Sequence, residues 1–266
     1  MLTGGRGKMT GDSTRCVHSS LDPEVTTGSV HTPIFQTSTY VQNDFADHLG
    51  FEYARGDNPT RNALQRALAE MESPHQEAYG FCFGSGMAAI TTISQMLNQG
   101  DHVIACDDLY GGTVRLFDQI ASRFGIETSY SPLKAGDLGK VVQENSKILW
   151  LESPTNPLLT VHDITSLAAE AKEHGLIVVV DSTFATPILQ RPFELGADLI
   201  VHSTTKYIGG HSDVIGGCLI TQNKDLAQKI SFLQNAVGAV PAPMDCFLSD
   251  IALDSADIVL IRNDLL

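Results

Sequence analysis

Lys206 lies in a run of residues that could bond covalently to a carbonyl beside an anion. Residues 199–201 are apolar and predict a buried strand, after which come Ser203, Thr205, Lys206 and a glycine-rich turn. The two hydroxyl groups can donate hydrogen bonds to a phosphate, and a lysine amine can add to an aldehyde. A lysine so close to a buried strand is expected to lose solvation, which a covalent role would explain. An isolated Thr-Lys pair would indicate only a surface lysine, but this arrangement suits a Schiff-base lysine of the kind that pyridoxal 5'-phosphate requires.

A second candidate phosphate site is the sequence Gly-Ser-Gly-Met-Ala-Ala at residues 84–89. It follows a predicted strand and opens a predicted helix, and backbone N–H groups at a helix N-terminus can hold a phosphate. The same residues match GxGxxA, and Asp107 lies about where a ribose-binding acid would follow in a dinucleotide fold. A nicotinamide-dependent oxidoreductase is therefore an alternative, although it has no use for the Ser-x-Thr-Lys arrangement.

Asp181 ends another apolar strand, predicted over residues 177–180, and Thr183 follows it closely. A carboxylate at this depth is costly unless a positive group pairs with it. A protonated pyridine nitrogen would be such a group, and the ion pair would keep the ring electron-accepting. An aspartate that caps a turn is the ordinary alternative. The position of Asp181 one strand before the lysine strand favours the cofactor role.

Three other segments carry polar or aromatic residues in predicted loops. Tyr110 precedes two glycines, Asn156 lies in the Pro-containing turn 152–157, and the polar segment 53–60 contains Tyr53 and Arg55. From residue types alone these are a loop aromatic, a rigid turn and a solvated arginine.

The chain from residue 62 alternates between helical and strand patterns, which predicts an α/β domain with a mostly parallel sheet. The predicted helices are 62–71, 87–98, 114–124, 164–174 and 225–235, with Asp163 as an N-cap, and the predicted strands are 79–83, 102–105, 127–130, 148–151, 177–180, 199–201 and 217–221. Ligands bind beyond the carboxyl ends of the strands in such sheets. Gly86, Asn156, Asp181 and Lys206 all follow predicted strands at that edge.

Composition limits the classes of partner. The 266 residues carry a formal net charge of -14, which argues against a general affinity for nucleic acid or an anionic membrane. No apolar run reaches membrane-spanning length, and none follows Arg6 and Lys8 as a secretory signal would require. The five cysteines form no CxxC pair, so we predict no zinc ribbon and expect buried free thiols. These features predict a cytoplasmic protein.

Taken together, residues 15 to 248 resemble the Cys/Met-metabolism family of pyridoxal-phosphate enzymes. The resemblance implies the aspartate-aminotransferase-like fold (fold type I), an α/β fold with a mostly parallel sheet, here lacking most of the small C-terminal domain. It implies that Lys206 and Tyr110 are catalytic, that Lys206 holds the cofactor and that Asp181 pairs with its ring nitrogen. The other residues implied to bind pyridoxal phosphate are Gly86, Met87, Ser203 and Thr205 near the phosphate, Tyr110 stacked on the ring, Asn156 at the phenolic oxygen, and Thr183.

The resemblance also implies how the chain assembles and divides. Tyr53 and Arg55 would reach the cofactor of a neighbouring subunit, so we expect a homo-oligomer, a homotetramer in the family, with shared active sites. Residues 1–60 are predicted to be an extended arm, 61–248 the pyridoxal-phosphate domain, and 249–266 a divergent tail in place of the C-terminal domain. That domain supplies the arginine for the substrate carboxylate, whose motif Arg262 does not match.

The implied reaction on a small amino-acid substrate is γ-elimination of cystathionine to cysteine, 2-oxobutanoate and ammonia. Residues 234–243 resemble the cystathionine γ-lyase branch, and Gly112 stands where methionine γ-lyases carry a cysteine. One alternative is a cystathionine γ-synthase, which performs γ-replacement on an activated homoserine. Another is a truncated cofactor-binding remnant without turnover.

Overall fold

A computed structural model describes residues 11–19, 22–45 and 47–253 of the chain. The helices are α1 (Asp12–His18), α2 (Pro59–Glu72), α3 (Gly86–Ser94), α4 (Gly111–Gln119), α5 (Ile164–Glu173), α6 (Thr186–Leu189), α7 (Lys224–Val237) and α8 (Pro243–Leu253). The strands are β1 (Gln42–Asp44), β2 (Asp47–His48), β3 (Tyr79–Phe83), β4 (His102–Cys106), β5 (Glu127–Ser131), β6 (Ser146–Glu152), β7 (Ile177–Asp181), β8 (Leu199–His202) and β9 (Gly217–Thr221).

Seven of these strands form one sheet in the order β3-β9-β8-β7-β6-β4-β5. Strands β4 to β8 are mutually parallel, and β9 is antiparallel to both of its neighbours, β8 and β3. β3 therefore runs in the same direction as the parallel strands. The predicted α/β fold with a mostly parallel sheet is confirmed, and the carboxyl ends of β3, β6, β7 and β8 share one edge.

The sequence explains why these strands lie in the centre of the domain. β4, β8 and β9 are buried along their whole length, and β7 is buried from its second residue. Such continuous apolar runs are typical of parallel strands covered on both faces. Trp150 of β6 is fully buried and meets Phe117 of α4 edge-on, with ring centroids 5.5 Å apart. This packing fixes α4, and with it the loop that carries Tyr110.

Side-chain caps set where the helices begin. Asn58 accepts hydrogen bonds from Thr60 N and Arg61 N at the start of α2, which has a proline at its first position. The predicted N-cap Asp163 is confirmed, since it accepts from Ser166 N at 3.0 Å. Each predicted helix and strand is present, with ends shifted by up to four residues, except that the predicted 114–124 helix is α4 followed by a 3₁₀ turn.

The predicted extended arm is wrong for residues 12–18, which form α1. Cys16 on this helix is 3% exposed and lies against Met71 of α2, so apolar burial holds the segment. Asp12 adds an ion pair with Arg191 at 2.6 Å. The sequence does not predict this helix, because seven residues carry too little helical periodicity to be distinguished from a loop.

The predicted domain boundary at residue 249 falls inside α8, which continues to Leu253 with Ser249 and Asp250 both buried. The rest of the predicted divergent tail, with Arg262, lies outside the described residues. All five cysteines are buried thiols, as predicted. In the described part of the chain, no helix is both long and apolar enough to cross a membrane.

Gly217 allows β9 to approach the start of α3, because a Cβ at this position would lie 2.4 Å from the carbonyl oxygen of Ser85. We predict that Gly217→Ala lowers the free energy of unfolding by about 1–3 kcal/mol, the usual cost of overpacking. Gly139→Ala, whose Cβ would meet only a side-chain atom at 3.8 Å, is the control and should stay within about 0.5 kcal/mol. Urea unfolding measures both, and equal stabilities would contradict the close approach.

Candidate active site

A cavity of about 270 Å³ opens at the carboxyl edge of the sheet. It lies at the ends of β6, β7 and β8 and at the N-termini of α3 and α4. Nine of the eleven sequence-predicted site residues line it, namely Gly86, Met87, Tyr110, Asn156, Asp181, Thr183, Ser203, Thr205 and Lys206. The remaining two, Tyr53 and Arg55, do not.

The start of α3 forms an anion cradle on one side of the cavity. Ser85 caps the helix by accepting a hydrogen bond from Ala88 N at 3.0 Å, and the backbone of Gly86 and Met87 lies at the cavity wall. A Cβ at residue 86 would lie 2.8 Å from Ser203 Cβ, so only glycine allows this contact. Free N–H groups in the first turn of a helix, next to a serine, fit a phosphate.

Lys206 lies in the turn after β8 and is exposed on the cavity side. The expected loss of solvation is therefore wrong, because the turn carries the side chain beyond the buried strand. Thr205 Oγ1 donates to Gly216 O at 3.1 Å and accepts from Gly216 N at 3.0 Å. In this structure the Thr205 hydroxyl thus fixes the turn, which leaves Lys206 free to reach into the cavity.

Asp181 ends β7 and is 5% exposed. Its Oδ1 accepts from the backbone N–H of Thr183 at 3.1 Å and from the Thr183 hydroxyl at 2.6 Å. Burial raises the pKa of Asp181 above its ordinary value, against the effect of these hydrogen bonds. A carboxyl group in this state would be stabilised as an anion by a cationic ring nitrogen, so the residue fits the predicted role.

Glu152, which the sequence analysis did not select, ends β6 beside Asp181 and lines the cavity. Its Oε2 accepts from Tyr110 N at 2.9 Å, and its Oε1 accepts from Asn156 N at 2.8 Å. Burial, followed by the charge of Asp181, raises the pKa of Glu152 to about 8. The sequence contains one indication of this role, because Glu152, like Asp181, is a carboxylate at the end of an apolar strand.

Six other residues that line the cavity were also not predicted, namely Ser85, Ile90, Pro154, Phe184, Val201 and Ile215.

Tyr110 precedes α4, and its side chain is 43% exposed at the cavity. A Cβ at Gly112 would lie 2.3 Å from Tyr110 Cε1 and 2.9 Å from Met87 Sδ. Glycine at 112 therefore provides the space that the tyrosine ring occupies.

Tyr53 and Arg55 lie on an exposed loop outside the cavity. Arg61 is 2% exposed and holds this loop by donating to the carbonyl oxygens of Ala54, Arg55 and Gly56. The Arg55 guanidinium lies 5.5 Å from the Tyr53 ring centroid and donates to Asn235 O. A single chain does not bring them to its own cavity, so their role toward a neighbouring subunit stays a prediction.

The dinucleotide alternative does not fit the sheet order. The GxGxxA segment follows β3, whereas Asp107 follows β4, and four strands lie between β3 and β4. At ordinary strand spacing this places the two segments about 24 Å apart. Asp107 is then too far away to bind the ribose of a dinucleotide whose pyrophosphate lies at the GxGxxA segment.

A lysine amine, an anion cradle and a buried carboxylate around one cavity define a pyridoxal-phosphate-dependent enzyme of the α/β class. Comparison with known proteins agrees. The chain belongs to the family of Cys/Met metabolism PLP-dependent enzymes, which it matches over residues 13–253. Pyridoxal phosphate is accordingly its cofactor.

Relatives in this family carry different activities. A probable cystathionine gamma-synthase of Herpetosiphon aurantiacus is 49% identical over 90% of this chain and 74% of that protein. A cystathionine beta-lyase of Coxiella burnetii is 46% identical over 93% of this chain and 64% of that protein. The crystal structure of cystathionine gamma-lyase from Lactobacillus plantarum complexed with L-serine has a TM-score of 0.87 and 38% identity, over 93% of this chain and 64% of that one. The chain thus spans less than two thirds of the latter two.

The pKa of Glu152 predicts a pH dependence of stability without cofactor. Since this pKa is about 8 in the folded chain against an ordinary 4.5, the folded state binds more protons than the unfolded state between these values. The contribution of Glu152 is therefore fully present below the lower value and is lost as the pH rises through the upper one. We expect the free energy of unfolding of Glu152→Gln to fall less over this range than that of the unmodified chain.

Urea unfolding at a series of pH values measures this difference. Glu170→Gln is the matched control, because Glu170 also accepts from two backbone N–H groups, those of Gly136 and Leu138, outside the cavity lining. It should keep the pH dependence of the unmodified chain. Identical pH dependence in Glu152→Gln and the unmodified chain would contradict the raised pKa.

Proposed function

We propose that the chain is a pyridoxal-phosphate-dependent transsulfuration enzyme that eliminates the γ-substituent of cystathionine. The observation that carries the proposal is the single cavity that brings together Lys206, Asp181 and the start of α3. When bound, the cofactor supplies an electron-accepting ring that stabilises negative charge at the substrate Cα.

The residues of the chain would bind the cofactor and transfer the proton. The backbone N–H groups of Gly86 and Met87, with Ser203, would bind the phosphate, and Asp181 would keep the ring nitrogen protonated. Lys206 would anchor the cofactor, and its amine would serve as the general base that removes the proton from the substrate Cα.

The proposed net reaction converts cystathionine and water to cysteine, 2-oxobutanoate and ammonia. The lyase-like character of residues 234–243 supports it. The main alternative is γ-replacement on an activated homoserine, which the similarity to the probable cystathionine gamma-synthase of Herpetosiphon aurantiacus supports. The similarity to the Coxiella relative adds β-elimination, which would convert cystathionine and water to homocysteine, pyruvate and ammonia.

Product analysis separates these reactions. We expect the chain with pyridoxal phosphate to release 2-oxobutanoate from cystathionine faster than free cofactor does, and borohydride to fix the cofactor on Lys206, as peptide mass spectrometry would show. Lys206→Arg, which keeps the positive charge, should abolish both. Pyruvate, or cystathionine formed from an activated homoserine, would redirect the proposal to β-elimination or γ-replacement. Cofactor fixed on Lys206 without turnover would favour the remnant alternative.

We also propose a homo-oligomer in which Tyr53 and Arg55 complete the site of a neighbouring subunit. Their exposure on a loop anchored by Arg61 supports this, because the loop is fixed in shape and neither side chain lines the cavity of its own chain. Cofactor that binds only the assembled form would then stabilise the assembly by mass action.

Replacing Arg55 tests the shared site. Arg55→Ala should weaken pyridoxal-phosphate affinity by about tenfold, the loss of one charge-assisted phosphate contact, and should lower the oligomer fraction. Arg66→Ala is the control, since Arg66 is a surface residue whose ion pair with Asp22 is 3.4 Å long. Sedimentation with and without cofactor measures assembly. An unchanged oligomer fraction and affinity in Arg55→Ala would rule out a shared site.

A further inference from the structure

Glu152 joins two loops that carry residues of the proposed cofactor site. One carboxyl oxygen holds Tyr110 N at the start of α4, and the other holds Asn156 N in the turn after β6. α4 has no side-chain cap from its own N-cap residue, which is Tyr110. The Glu152 carboxyl group at the end of β6 therefore accepts from both N–H groups, one at this end of the helix and one in the turn opposite it.

If Glu152 served only to stabilise the fold, the burial of its carboxyl group would be an energetically costly way to do so. Glu152 is 5% exposed and lies beside Asp181, a second buried carboxyl group. Buried ionised carboxyl groups are usually stabilised by a cation, but the Glu152 carboxyl group accepts from two backbone N–H groups. Glutamine could not replace Glu152 without loss, because its side chain has only one acceptor oxygen and would present an N–H group to one of the two donors.

We propose that Glu152 is a positioning residue, which sets the places of Tyr110 and Asn156 against the bound cofactor through their backbone N–H groups. The inference rests on the proposed function, in which these two side chains contact pyridoxal phosphate. Glu152 itself contacts neither the phosphate cradle nor Lys206 in this account. Its effect on cofactor binding passes through the two side chains it positions.

Cofactor affinity in a double-mutant cycle tests this proposal. Glu152→Gln leaves one N–H donor unpaired, so we expect pyridoxal phosphate, titrated by absorbance, to bind about tenfold more weakly. Glu152→Asp keeps a carboxyl group beside Asp181 but shortens the side chain, and it should also weaken binding. If Glu152→Gln does not fold, Glu152→Asp takes its place in the cycle. Glu170→Gln, which loses the same kind of two-donor contact elsewhere, should bind cofactor as the unmodified chain does.

The combination with Tyr110→Ala and Asn156→Ala distinguishes positioning from a general structural role. The effect of the Glu152 substitution should become smaller in either background and disappear when both alanines are present, because the positioned side chains are then absent. The same loss in every background, or normal affinity in both Glu152 variants, would overturn the proposal. Failure of the unmodified chain to bind pyridoxal phosphate would overturn the proposed function first, and this inference with it.

Discussion

The parallel pairing of β4 to β8 is the constraint on which the site depends. Parallel strands need crossover connections, so helices cover both faces of the sheet and the carboxyl ends of the strands meet at one edge. Antiparallel β9 then places β3 in the same direction, so that the start of α3 arrives at that edge too. Residues far apart in sequence, such as Gly86 and Ser203, come into contact for this reason.

Two buried carboxyl groups determine the electrostatics of the cavity. Asp181 and Glu152 are register partners on β7 and β6, and burial raises the pKa of both. Without a nearby cation, the ionisation of one of these carboxyl groups disfavours the ionisation of the other. In the proposed site, a cationic ring beside Asp181 would reverse this preference, and cofactor binding would then be linked to the protonation of the carboxyl pair.

The sequence predicted the elements and most of the cavity because continuous apolar runs and helical periodicity identify buried strands and covering helices. It predicted Lys206 and Asp181 from residue type and position after such strands. It missed Glu152, because the Pro-containing turn that follows was sufficient to explain the segment, and only the fold shows that the carboxyl group reaches the N–H groups of two loops. It also missed α1, which tertiary burial of Cys16 stabilises rather than local propensity.

A crystal structure of the chain grown with pyridoxal phosphate would show whether this cavity holds the cofactor. We expect cofactor density continuous with Lys206 Nζ, the phosphate against the backbone of Gly86 and Met87, and the ring nitrogen facing Asp181. Cofactor bound in the opposite orientation, or outside this cavity, would show that these residues do not form the proposed site.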